Sequence, residues 1–468
     1  KDVINRSQQM LGRDANYVPG WDCHGLPIEW KIEEIYRDAG KDKDEVPVIE
    51  FRRECREFAE HWIGEQRDEF KRLGVIGDWE APYTTMSYAA EAQIVRELGK
   101  FLMSGGLYRG SKPVMWSPVE KTALAEAEIE YHDHTSTTIW VRFPVVSSPL
   151  GELDGASVVI WTTTPWTLPS NLALAVGPDV SYSLRQAADG TVSVLGVEAV
   201  ERYAAQLEGT TEVGTLLGSD LVGRSFTPMF DFFADRTDAF RILGADFVHA
   251  SEGTGVVHMA PGFGEDDQTT CEAAGIPIGQ VVPVDGLGRF TDQVGPWAGL
   301  NVFDANPEII RHLKEEGRVV RHDTYEHNYP HCWRTDTPII YKAISSWFVK
   351  VTDIRDRLME TNQEINWVPS HVRDGRFGMW LDGARDWSIS RNRFWGSPIP
   401  VWRSDDPTYP RIDVYGSLDE IERDFAIRPD DLHRPFIDQL TRPNPPHPTG
   451  RPPMRPLPPV LVRGFHSG

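Results

Sequence analysis

The stretch ASVVIWTTTPWTLPSN, residues 156–171, sets four threonines among two tryptophans and two prolines, directly after the apolar Val158-Val159-Ile160. Val, Ile, Thr and Trp suit a pleated, half-buried surface, so the run predicts a strand leading into the threonines. If that strand continues, neighbours alternate, Thr162 and Thr164 share a face, and Thr163 takes the other. Strand propensity does not explain why so many hydroxyls gather beside so much aromatic surface.

Around this stretch, residues 134–300 alternate Val, Ile, Thr and Trp segments with Gly, Asp and Pro turns, which predicts a β-rich module beginning near residue 135. The module closes with an expected helix from Pro307 to Glu316, with Asn306 as N-cap, Pro307 at the first helical position and Gly317 as the stop. Upstream, apolar residues at Phe51, Cys55, Phe58, Trp62, Phe70 and Leu73 keep close to helical spacing before Gly74. After about residue 325 the texture is mixed again. Nine prolines between Pro443 and Pro459 exclude a helix and a central strand there.

The chain has 468 residues, more than one hydrophobic core usually serves, so two or more domains are expected, one of them inserted into another. Cysteines at 23, 55, 271 and 332 make no CxxC pair and suit a reducing, cytoplasmic setting. No uncharged apolar stretch is long enough to span a membrane, and no basic-then-apolar leader opens the chain. The formal charge of −22 argues against a surface that coats polyanions wholesale, while leaving room for a local basic groove. Because it starts at Lys1 inside a helical pattern and stops at FHSG, the sequence is expected to be an internal fragment.

Three further stretches carry chemistry. PGWDCHGLPIE (19–29) offers Asp22, Cys23 and His24 as acid, nucleophile and base. Equally, it is a Gly-bounded turn in which Asp22 caps the next element. GTGVVHMAPGFGEDD (253–267) follows a strand-like segment with a Gly/Pro loop and two acids. His258 with Asp266 or Asp267 could bind a metal, but two carboxylates at a helix start more often cap it, so no metal is expected. RDWSISRNRFWGSPIPVW (385–402) interleaves Arg385, Arg391 and Arg393 with Trp387, Phe394 and Trp395. Such a pattern stacks on bases or holds phosphates, or else forms a buried aromatic cluster whose arginines pair with Asp382 and Asp386.

Taken in order, GWDCHGLPIE, WSP with TALAEAE, WTTTPWTLPSN, GTGVVHMAPGFGEDD, RDWSISRNRFWG and DLHRPFID (431–438) resemble the isoleucyl-tRNA synthetases, class I aminoacyl-tRNA synthetases, over nearly the whole chain. Cys23-His24 also separates the chain from leucyl enzymes, which typically carry Ala-Phe there. The resemblance implies an α/β fold, a split Rossmann-type catalytic domain interrupted by an inserted β-barrel-like editing domain. The divisions expected are 1–134, 135–325 and 326–468, with an irregular proline-rich stretch at 442–459.

The function implied is ATP-dependent charging of tRNA(Ile), with hydrolytic proofreading of Val-tRNA(Ile). Valine lacks one methylene of isoleucine, and a pocket admitting the larger side chain discriminates by only about 1–3 kcal/mol, a limit for which isoleucyl enzymes are the standard illustration. A second, smaller hydrolytic pocket multiplies the selectivity. By resemblance, Asp22 binds the isoleucine α-ammonium, Trp387 lines its side-chain pocket, and Arg391 and Arg393 lie near ATP or the tRNA end. In the editing pocket Asp267 anchors the α-ammonium of the misacylated residue and Asp266 remains a cap. Thr162 and Thr164 hold the ribose, the ester or a water, and His258 and Trp166 shape the size limit. No Ser-His-Asp or Cys-His nucleophile is evident, so a positioned water attacks the ester directly.

Partners implied are tRNA(Ile), isoleucine and ATP with Mg²⁺, for a cytoplasmic enzyme expected to be a monomer and to touch no membrane. The HIGH and KMSKS motifs that serve ATP are expected before Lys1 and after Gly468, so the fragment is expected not to form isoleucyl-adenylate. No zinc is expected either, because Thr335 stands where a second cysteine would pair with Cys332. Near the end, RGFHSG puts His466 where the family usually has an acid. Two alternatives stay open: a stand-alone editing deacylase, and a non-enzymatic tRNA-binding paralogue.

Overall fold

The computed structural model describes all of residues 1–468 except 147–152, 154, 252, 280, 392, 405, 407, 416, 430–436, 450–452, 457–459 and 462–468. Most of DLHRPFID, part of the proline-rich stretch, and His466 therefore lie outside the described residues. The chain divides into two compact units, Lys1–Gly110 with Ser346–Gly468, and Ser111–Ser345. It passes from one to the other twice, as an insertion does.

In the discontinuous unit the amphipathic pattern forms a 25-residue helix, Val48–Arg72, ended where Gly74 takes a left-handed φ of +79°. Phe51, Cys55 and Ala59 of this helix pack with Cys23, Ile32, Tyr36, Met86 and Trp395 in one core cluster. Gly20–Trp21 pairs in parallel with Tyr83–Thr84. The one described strand of the proline-rich stretch, Met454–Pro456, lies at the edge of a three-stranded sheet, where a missing N–H is tolerated.

The continuous unit is β-rich. The strands of its two main sheets, in chain order, are β1 (Ile129–Pro144), β2 (Ala156–Thr162), β3 (Ala173–Val176), β4 (Ser181–Gln186), β5 (Val192–Gly196), β6 (Thr211–Leu217), β7 (Arg241–Gly244), β8 (Val256–Met259) and β9 (Val319–Cys332). Six form a sheet in the order β6-β4-β5-β2-β1-β9, and three form a second sheet, β7-β3-β8. β2 lies centrally, antiparallel to β1 and parallel to β5, and nearly every residue of it is buried. That burial is why its sequence is a continuous apolar run. Ile139, Val141, Phe143, Val158, Ile160, Leu174, Val176, Ile242 and Met259 share a core.

A closed barrel is not what these strands form: among the described residues no sheet closes on itself, and β6 and β9 remain edges. The edge strand β6 exposes Thr211 and Glu212 together with Val213 and Leu217. The textural break expected at 135 and 325–326 falls within the long β1/β9 ribbon, where Thr135 pairs with Glu326.

The unit's two longest helices are α1 (Glu265–Ala273) and α2 (Val302–Glu315). The start of α2 differs from the sequence expectation. Asn301, not Asn306, is the cap, its side chain accepting from the Phe303 N–H, and Pro307 lies inside the helix. Burial of Val302, Ala305, Ile309, Ile310 and Leu313 outweighs the local cost of proline in the second turn. Among the described residues no helix is long and apolar enough to cross a membrane.

Candidate functional site

β2 stops at Thr162, so the alternation that separated Thr163 from its neighbours ends there. Thr163 occupies a bend, and a 3₁₀ helix runs from Pro165 to Ser170. The Thr162 hydroxyl accepts from the Thr164 N–H at 3.0 Å, a local side-chain turn that competes with strand continuation, and Pro165 then starts the helix. The turn, and not strand periodicity, brings the two hydroxyls to 3.2 Å of each other.

The hydroxyls form a connected row. Thr164 Oγ1 lies 3.4 Å from Thr167 Oγ1, and Thr167 Oγ1 lies 2.8 Å from Nε2 of His258 on β8. Asn171 Nδ2, anchored on the Ala173 carbonyl, lies 3.4 Å from His258 Nδ1. A donor on Nδ1 makes that nitrogen the acceptor, so Nε2 carries the proton and donates to Thr167, which donates in turn to the Thr164 carbonyl. Burial pushes His258 down to about 4. It is therefore neutral at pH 7, with both nitrogens engaged and no lone pair turned to a metal. Thr164 is the half-buried member of a row whose other members, Thr162, Thr167 and His258, are buried.

Thr167→Val keeps the shape and strands a buried imidazole N–H. We expect a loss of about 1–3 kcal/mol, read from the urea midpoint at constant slope, with Thr167→Ser close to wild type.

The second stretch meets the first directly. The Trp166 ring, 3 % exposed, packs edge-on against Phe263 at 5.0 Å between centroids. Phe263 belongs to the loop joining β8 to α1, and its N–H donates to the Ala260 carbonyl at 2.8 Å. Asp267, in the first turn of α1, reaches back so that Oδ2 accepts from the Ala260 N–H at 2.7 Å. Burial pushes its carboxyl up to about 6 against that bond, with Asp266 adding to the rise. By accessible surface the residue is only half-buried and Asp266 is exposed, so desolvation acts on a carboxylate that still has an open side. A Cβ at Gly264 would stand 2.8 Å from the Asp267 Cγ, which explains a glycine there.

In the discontinuous unit, Asp22 Oδ1 accepts from Thr85 Oγ1 at 3.3 Å, and the same hydroxyl accepts from the Cys23 N–H at 2.8 Å. Cys23 is buried, which raises its thiol pKa, and His24 pairs with Glu91 Oε1 at 3.4 Å, so the two neighbours share no task. Trp387, 37 % exposed, opens the short strand Trp387–Ser388. Arg391 is buried and donates to the Ser388 and Ser390 carbonyls. Arg393 lies against Glu29 at 3.9 Å.

Glu29 ties the first and third stretches together. Its Oε1 accepts from the N–H groups of both Phe394 and Trp395 at 2.7 Å, and the Trp395 indole donates to the Cys23 carbonyl at 2.6 Å. Where a cysteine pair was lacking, Thr335 donates to Glu120, and the Cys332 N–H donates to the Thr337 carbonyl at 2.9 Å. Among the described residues no three His, Cys, Asp or Glu side chains are grouped to hold a metal.

A family model for class I tRNA synthetases (I, L, M and V) matches residues 1–443. The chain belongs to that family. This class I synthetase chain is 50 % identical over 477 residues to the isoleucine–tRNA ligase of Nocardia farcinica, a match covering 100 % of the chain and 46 % of that protein. It is 47 % identical over 489 residues to the ligase of Corynebacterium diphtheriae, covering 100 % of the chain and 46 % of that protein. With the ligase of Rickettsia canadensis the figures are 45 % over 476 residues, 100 % and 44 %. The synthetase chain thus spans less than half the length of these curated relatives.

Sequence reasoning missed several residues that build these two clusters. Thr167 and Asn171 stand in the opening stretch itself, and the i, i+3 spacing of Thr164 and Thr167 was the available signal for a turn of helix. Glu29 closes the GWDCHGLPIE motif but has no partner in sequence, because its partners are 365 and 366 residues away. Phe263 and Ala260 gave no signal at all.

Proposed function

We propose that this chain is the part of an isoleucine–tRNA ligase that binds isoleucine in its discontinuous unit and proofreads Val-tRNA(Ile) in its inserted one. The observation that carries the second half is the row of hydroxyls from Thr162 through Thr164 and Thr167 to His258, joined through Trp166 and Phe263 to the loop that holds Asp267. Hydroxyls suit a ribose, an ester oxygen and a water, while a carboxylate suits an α-ammonium. In this reading the α-ammonium of the misacylated valine meets Asp267, whose other attachment is the Ala260 N–H. Thr164 and Thr162 hold the ester and a water.

His258 is neutral and locked by Thr167 and Asn171, so it serves shape and not proton transfer. The water attacks the ester carbonyl, the carbonyl–oxygen bond to the ribose breaks, and the ribose oxygen takes up a proton, leaving valine and free tRNA. Trp166 and Phe263 form the apolar wall that limits size. In the discontinuous unit Asp22 takes the isoleucine ammonium and Trp387 lines the side-chain pocket. ATP with Mg²⁺ supplies activation in the whole enzyme; Arg391 and Arg393, which the resemblance puts near ATP or the tRNA end, lie against the Ser388 and Ser390 carbonyls and against Glu29.

The purified chain should hydrolyse Val-tRNA(Ile) faster than Ile-tRNA(Ile). The comparison is made by following release of radiolabelled amino acid from each. Equal rates, or none above the spontaneous rate, would sink the proofreading reading.

A further inference from the structure

Asn306 and Pro307 sit in the second turn of α2, where each breaks a local rule. Proline has no N–H to give the preceding turn, it disfavours helical geometry at the residue before it, and asparagine is a weak helix former. Local penalties of this kind persist where a site is served. What the helix gains is a bond outside itself: Asn306 Oδ1 accepts from the Trp166 N–H at 2.9 Å. Pro165 has no N–H, so that of Trp166 is the first the 3₁₀ helix presents, and such a group has no partner within its own helix.

We propose that Asn306 is a positioning residue of the editing site, capping the 165–170 helix from α2 and so setting both halves of that site; this rests on the proofreading reading above. On one side the capped helix carries Thr167, whose hydroxyl holds His258 Nε2. On the other it carries Trp166, against which Phe263 packs, in the loop whose Ala260 N–H holds Asp267. Asn306 touches neither water nor ester. It acts by fixing where Thr164 and Asp267 stand, and a displacement of about 1 Å in such a site costs up to about a hundredfold in rate.

The test measures Val-tRNA(Ile) hydrolysis by the full chain. N306A should lower kcat about tenfold to a hundredfold with KM within about twofold, whereas N306D, which keeps an acceptor oxygen in place, should stay within about threefold of wild type. N306Q moves the oxygen by one methylene and should behave as N306A, which keeps the test sound if N306A does not fold. Wild-type kcat in N306A, or in N306Q where N306A does not fold, overturns the proposal, as does N306D impaired as deeply as either. A second readout does not depend on catalysis: the imidazole N–H resonance of His258, identified by its absence in H258Q, should persist in N306D and be lost to solvent exchange in N306A and N306Q. If the wild type hydrolyses nothing, the proofreading reading falls by itself. Asn306 is then judged on this resonance, and its persistence in N306A or N306Q would refute the positioning role.

Discussion

Asp267→Ala is expected to lower kcat/KM for Val-tRNA(Ile) hydrolysis by about 10²–10³-fold, within the ~2–5 kcal/mol cost of removing one partner of a buried charge pair. The geometry makes this the largest single loss, because the carboxylate is held by Ala260 on one side and open on the other. Its pH dependence carries a sign. Burial pushes Asp267 up to about 6, and a protonated carboxyl cannot hold a cation, so kcat/KM should fall as pH drops through about 6. Asp267→Asn should be slow at every pH and lack that limb. A wild-type profile flat between pH 5 and 7 would contradict the assignment.

Stability runs the other way for this group. A carboxyl raised by folding contributes stability below its ordinary value of 3.8, and that contribution is lost as pH rises through about 6. His258, lowered to about 4, is opposite: it contributes above its ordinary value of 6.5, and the contribution is lost as pH falls through about 4. Asp267→Asn should therefore melt no lower than wild type at pH 7, so that a lost rate there is not a consequence of unfolding.

Glu29→Ala is expected to destabilise the discontinuous unit by about 3–5 kcal/mol, the range found when one partner of a buried ion pair is removed. The carboxylate serves the part-buried Phe394 N–H, the buried Trp395 N–H and the buried Arg393 side chain at once. Burial raises its pKa, while Arg393, Lys43 and the two N–H groups pull it down. Glu29→Gln keeps an acceptor oxygen for Phe394 and Trp395, so it should lose much less than alanine. Urea denaturation of the three proteins checks the order, and an alanine variant as stable as the glutamine one would refute the account.

The fold was legible where burial imposes a period or a continuous apolar run. The Val48–Arg72 helix and the strands on either side of the threonines are such cases, since a side chain's face follows from its position along the element. Legibility failed at α2, where Asn306-Pro307 looked like a start because capping rules are local. The true start at Asn301 is set by which residues the core covers.

For the sites, residue types marked the hydroxyl stretch and the acidic loop as unusual, and it was the resemblance to isoleucyl-tRNA synthetases that joined them and named Asp267, Thr162, Thr164, His258 and Trp166 for one pocket. What the sequence by itself determined is the motifs and their order along the chain, because propensity, turn chemistry and motif spacing act among near neighbours. Only the tertiary structure decided that Thr164 meets Thr162 through a turn and not a strand face, that Thr167 and Asn171 lock His258, and that Asn306 holds Trp166. Those contacts join residues up to 140 apart. They depend on how elements pack, which no local preference encodes.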